Sequence, residues 1–105
     1  MLTSNRQVDI TNSFGLHLRA ADKFIRLARQ FRADVWVTCD GRTVNGNSIL
    51  ELITLAAACG SRLQLETDGP DADAALDSLT DLIERGFDEH QPGPSLSAPP
   101  VTAIA

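Results

Sequence analysis

Only two cysteines occur in the 105 residues, Cys39 and Cys59, and neither belongs to a Cys-x-x-Cys pair. They could close one disulfide, but without a secretory signal the expectation is two buried, reduced thiols. A zinc site of the usual spacing is absent too, because His17 and His90 stand far apart in the chain. No metal or cofactor is expected. No apolar run approaches the roughly 18–20 residues that span a bilayer. The opening Met1-Leu2-Thr3-Ser4-Asn5-Arg6 has no signal-peptide core, so the expectation is a cytoplasmic protein without membrane insertion. There is no run of Lys or Arg, and a net charge of −5 argues against a nucleic-acid groove. Glycine-rich phosphate loops, dinucleotide fingerprints and internal repeats are likewise missing.

What remains suits one small domain, since 43% of the residues are hydrophobic. Arg6 to Asn12 alternates polar residues with Val8 and Ile10 and reads as a half-buried strand. The helix-periodic run from Leu18 to Phe31 stacks Leu18, Ala21, Phe24, Ile25, Ala28 and Phe31 on one stripe. Val35–Cys39 and Arg42–Val44 flank Asp40-Gly41, the pair that a primed hairpin turn favours. Ser48 and Glu51 fit a capping box opening a helix from Ile49 to about Ala58, with Gly60 as its stop. Arg62–Thr67 alternates again as a fourth strand. Asp68-Gly69-Pro70 then starts a third helix, with proline at its first position and Gly86 as its terminator. The order βαββαβα gives an α+β fold in which three helices cover one face of a single sheet. From Asp88 onward, Pro92, Pro94, Pro99 and Pro100 crowd a stretch that sustains neither helix nor ladder. The expected division is a domain over 1–87 and a disordered tail over 88–105.

The chemistry concentrates in Gly15-Leu16-His17-Leu18-Arg19-Ala20-Ala21. A strand, a short glycine loop and a helix start place His17 at a helix N-terminus, where unpaired amides and the macrodipole favour an anion. Arg19 adds a guanidinium whose donors suit phosphate oxygens. Histidine is a poor N-cap, which leaves the first amides for a ligand. A neutral imidazole here is a candidate nucleophile that carries a phosphoryl group.

Ile10-Thr11-Asn12, Gly15-Leu16-His17-x-Arg19-x-Ala21, Phe31, Gly41-Arg42-Thr43-Val44-Asn45 and Ser48-Ile49 together resemble HPr. HPr is the histidine-containing phosphocarrier family of the bacterial phosphoenolpyruvate-dependent phosphotransferase system. The resemblance runs from about residue 8 to 86 without gaps. It implies an open-faced β-sandwich of four antiparallel strands and three helices. By the same resemblance, His17 matches the phosphorylated histidine, with Nδ1 as acceptor, and Arg19 its partner arginine. Ser48 matches a regulatory serine that a dedicated HPr kinase phosphorylates in some bacteria. Ile49, Leu50 and Ile53 fall where family members dock Enzyme I and enzyme IIA-type partners, and a monomer is expected. Ala20 stands where the family usually has proline, Leu18 where it has a small residue, and Phe14 adds bulk before the glycine. Asn47 and Glu51 are unusual beside Ser48, and a carboxylate there would repel a phosphoserine.

Three functions compete at this point. The first is a stoichiometric relay that takes a phosphoryl group from Enzyme I and passes it to an enzyme IIA, with no small-molecule turnover of its own. The second is a regulatory HPr-like module of a nitrogen-type or orphan phosphorelay, whose Ser48 state controls docking. The third is an α+β small-molecule binder, for which the sequence offers no pocket signature. Trp36, Cys39 and Cys59 read as packing residues, while part of the Ile49, Leu50, Ile53 patch is expected to be exposed.

Overall fold

Alternating runs build the strands β1 (Thr3–Asp9), β2 (Asp34–Cys39), β3 (Arg42–Asn45) and β4 (Arg62–Asp68). Helix-periodic runs build α1 (Leu18–Ala28), α2 (Ile49–Thr54) and α3 (Ala72–Glu84), and a 3₁₀ turn follows over Gly86–Asp88. The structure, a computed structural model, describes residues 3–88. Apart from Asp88, the stretch expected to be a tail lies outside the described residues, as does His90. No helix among the described residues is long and apolar enough to cross a membrane.

The strands form one antiparallel sheet in the order β1-β4-β2-β3. Period-two alternation turns Val8, Val35, Val37, Leu63 and Leu65 to one face, where they are buried with Phe24, Leu52, Leu79 and Ile83 from the helices. This is the expected open-faced β-sandwich. Asp40 and Gly41 close the β2–β3 hairpin with φ values of 52° and 81°, the left-handed pair that a primed turn requires.

Strand β1 begins and ends earlier than its hydrophobic alternation suggests. Ser4 and Arg6 share the face of Val8 but are polar, and α3 answers them: Ser4 bonds Asp73, and Arg6 pairs with Asp77 at 2.8 Å. Ile10 leaves the regular ladder and instead exchanges backbone bonds with the turn before β4, at 2.9 Å to Ser61 and 2.8 Å from Gly60. Pro70 is not the first residue of α3. Asp71 is the N-cap, and its carboxylate accepts the Arg32 N–H at 2.7 Å, tying the turn after α1 to the start of α3. Trp36 is half-buried rather than core, on the face that the helices leave open.

Helix α2 stops four residues short of Ala58. Three successive alanines favour helix by propensity, yet Ala56 takes a left-handed φ of 51° and turns the chain away. Arg42 caps the severed end, donating to the Thr54 carbonyl at 2.8 Å, and leaves Gly60 in a later turn. A left-handed alanine costs about 1–2 kcal/mol, partly offset in a glycine variant by its greater unfolded-state entropy. Ala56→Gly is therefore expected to stabilise by about 0.5–1 kcal/mol, a Tm gain of roughly 3–6 °C in a thermal melt. An unchanged or lowered Tm contradicts the strain argument.

The thiols divide by environment. Both are free, but only Cys39 is buried; Cys59, expected to be buried as well, is exposed in the turn before β4. Burial pushes the Cys39 thiol up, and the neighbouring Asp40 carboxylate raises it further, so its thiolate forms only at higher pH than usual. A disulfide reagent is expected to modify one thiol per folded chain quickly, Cys59, and the second only on unfolding. Two equally fast thiols would contradict the burial of Cys39.

Candidate functional site

Between β1 and α1 the chain makes a four-residue turn, Asn12 to Gly15, stitched twice. The Gly15 N–H donates to the Asn12 carbonyl at 3.1 Å, and the buried Asn12 Nδ2 donates to the Gly15 carbonyl at 2.8 Å. Gly15 then takes a φ of 66° against the segment after α2: a Cβ built on it would lie 2.3 Å from the Ala57 carbonyl oxygen. The next amide, Leu16 N–H, donates to that same oxygen at 2.9 Å, while the Leu16 side chain is buried. The early break in α2 therefore positions the loop, since a helical Ala57 would commit its carbonyl along the helix.

His17 follows as the N-cap of α1, with extended φ and ψ of −89° and −178°. Its carbonyl accepts the Ala21 N–H at 2.8 Å, the first turn's own bond. Its Nδ1 accepts the Arg19 N–H at 3.2 Å. The imidazole thus caps the helix and takes the Arg19 amide, against the expectation that the first amides are left for a ligand. Nδ1 bears a lone pair in this arrangement, so the proton of the neutral ring lies on Nε2. His17 is partly exposed and Arg19 exposed, and among the described residues no carboxylate pairs with the Arg19 guanidinium. A partly open imidazole, a helix N-terminus and an uncommitted guanidinium can together hold an anion on Nδ1. No three His, Cys, Asp or Glu side chains among the described residues gather as metal ligands.

The surroundings are shallow and apolar. Leu18, expected on the buried stripe of α1, is 62% exposed; Ala20 is buried in its place. The first turn overhangs α2, and Leu18, Arg19, Asp22 and Ile49 line a depression of about 400 Å³. Of the expected docking residues, Leu50 is 74% exposed, while Ile49 and Ile53 are half-buried against the edge of the core. Ser48 is half-buried as the N-cap of α2, with Oγ accepting the Glu51 N–H at 3.4 Å. The capping box is only half made, because Glu51 reaches past Ser48 to the Asn45 N–H at 3.1 Å. Two contributors carry no functional mark in the sequence. Asn12 closes the first alternating run, and an Asn three residues before a glycine signals a turn without signalling a site. Nothing local marks the Ala57 carbonyl.

A family model described as the PTS HPr component phosphorylation site matches residues 4–85. The chain belongs to the HPr family of phosphocarrier proteins. The phosphocarrier protein HPr of Neisseria meningitidis serogroup A is 49% identical over 84 residues, which cover 80% of this chain and 94% of that protein. A Shewanella violacea relative bearing the name phosphocarrier protein NPr is 39% identical over 89 residues, covering 85% and 98%. Among solved structures, an HPr from Thermoanaerobacter tengcongensis superposes with a TM-score of 0.79 at 34% identity, covering 83% of this chain and 98% of that one. The HPr fold and the general phosphocarrier role within the phosphotransferase system thus agree with the fold and composition described above.

Proposed function

We propose that His17 accepts a phosphoryl group from phosphorylated Enzyme I and hands it to an enzyme IIA-type protein, with Arg19 holding the charge. The observation that carries this reading is the Nδ1 lone pair held at the mouth of α1 by the Arg19 N–H, 3.2 Å away. Nδ1 releases the Arg19 N–H and attacks phosphorus with the freed lone pair as the donor's N–P bond breaks, and the ring keeps its proton on Nε2. The first-turn amides and the guanidinium then take the phosphoryl oxygens, so that catalysis is positioning and charge stabilisation. A shallow apolar rim, with Leu18 and Leu50 exposed, suits two partners that visit in turn. Incubation with phosphoenolpyruvate and Enzyme I is expected to add one acid-labile, alkali-stable phosphate per chain. No label, or an acid-stable one, defeats the proposal.

Regulation at Ser48 belongs to the same reading. A phosphoserine there would meet the amides opening α2 but also the Glu51 carboxylate held in the same turn. With ATP and a bacterial HPr kinase, one acid-stable phosphate at Ser48 is expected, and its absence removes this branch. A relay apart from sugar uptake is favoured by one observation, the relative named NPr. Comparing transfer from the sugar-type and the regulatory Enzyme I separates the two pathways.

A further inference from the structure

A helix that ends just before three alanines needs something to stop it. Were α2 to continue, the Ala58 N–H would donate to the Thr54 carbonyl and the Ser61 N–H to the Ala57 carbonyl, each reaching one full turn back. Neither bond is made. The Thr54 carbonyl accepts Arg42 Nη1 at 2.8 Å, and the Ala58 N–H donates to Ser61 Oγ at 3.1 Å. Ser61 turns its own N–H to the Ala58 carbonyl at 2.9 Å, which leaves the Ala57 carbonyl for the Leu16 N–H, also at 2.9 Å. Arg42 reaches the helix from outside it. Two residues before Val44 on the edge strand β3, it shares the face that Val44 buries. Its other terminal nitrogen, Nη2, donates to Thr54 Oγ1 at 3.2 Å, and that hydroxyl donates to the Glu51 carbonyl at 2.6 Å. The guanidinium fork thus grips both the backbone and the side chain of the last residue of α2.

We propose that Arg42 is a positioning residue for His17, acting through the stop it imposes on α2. Its guanidinium occupies the carbonyl that the Ala58 N–H would take, and so keeps the helix from drawing in the Ala57 carbonyl. That carbonyl is the seat of the active loop: Gly15 lies against it, and Leu16, the residue before His17, is bonded to it. Alanine is the best helix former of all residues, so Ala56–Ala58 compete for that seat as soon as the Thr54 carbonyl is open. Arginine suits the task because one planar, charged fork satisfies two oxygens at once. A hydrophobic side chain of similar length would satisfy neither. The consequence for transfer rests on the carrier reading of His17, while the seating of the loop does not.

The test compares full-length, ¹⁵N-labelled chains by amide hydrogen exchange and then as substrates of phosphorylated Enzyme I. Arg42→Met keeps the apolar stem and removes the fork. It is expected to speed exchange of the Leu16 amide about three- to tenfold, with a smaller change at the Leu65 amide of the interior strand β4. In phosphoryl transfer kcat is expected to fall about two- to fivefold with little change in KM, because the reacting nitrogen is misplaced and the docking face is intact. Arg42→Lys, which keeps one charged donor, is expected to recover part of both losses. Equal acceleration at Leu16 and Leu65 overturns the proposal, since Arg42 then only stabilises the fold as a whole. A Leu16 amide that exchanges as in the parent overturns it too. So does a rise in KM alone, which makes Arg42 a docking contact. Failure of the carrier reading shows separately, as a parent chain that takes up no acid-labile phosphate, and leaves the exchange measurement to judge the seating of the loop alone.

Discussion

His17→Ala is expected to abolish acid-labile phosphorylation, while Arg19→Ala slows transfer roughly tenfold without abolishing it. The two effects differ because the two side chains do different work. The imidazole supplies the nitrogen that forms the bond, and none of the described residues offers a second histidine. The guanidinium supplies charge-assisted hydrogen bonds to a product anion, worth about 1.5–3 kcal/mol when shielded and less at an exposed position such as this one. Neither change should unfold the protein, since neither side chain is in the core. Rapid-quench labelling with Enzyme I and phosphoenolpyruvate reads both. Full labelling of His17→Ala rejects the assignment, and an unchanged rate in Arg19→Ala removes the arginine from the mechanism.

Gly15→Ala is expected to be the most damaging single change to the fold around the site. Its φ of 66° is left-handed, which costs an L-residue about 1–2 kcal/mol. The new methyl would also sit 2.3 Å from the Ala57 carbonyl oxygen and 2.9 Å from the Ala58 Cα. Both are backbone atoms, so relief means moving the loop or the segment beneath it, and overpacking of that kind costs typically 1–3 kcal/mol or more. Together these predict a loss of about 4 kcal/mol and a fall in Tm of roughly 20 °C. A melt within about 5 °C of the parent would show that the loop yields easily. The Leu16 bond to Ala57 would then not be what places His17.

Much of this architecture is legible in the residues themselves. The β2–β3 hairpin follows from Asp40-Gly41 between alternating runs, the start of α1 from the change of period at Leu18, and the end of α3 from Gly86. The misses share a cause, in that a distant partner overrides a local preference. Ala56–Ala58 are good helix formers, but the carbonyl of Ala57 is needed by Leu16, forty-one residues earlier in the chain. Leu18 fits the apolar stripe, yet the first turn of α1 overhangs Ile49 instead of the sheet. Ser4 and Arg6 hide the true start of β1 because aspartates of α3 satisfy them. At the site, His17 and Arg19 stand out because their chemistry is written in their side chains. Asn12 acts through its amide on a turn, and Ala57 through its main chain.

The bond from Leu16 to the Ala57 carbonyl, with Gly15 lying flat beside it, is drawn entirely from peptide groups. The exposed side chain at 58 can therefore drift in identity over evolutionary time while the reactive ring stays in place, whereas the left-handed turn at 56 and the buried place of Ala57 keep those two positions small. A ruler made of peptide groups is read through the path of the chain, and side chains enter only where they hold that path.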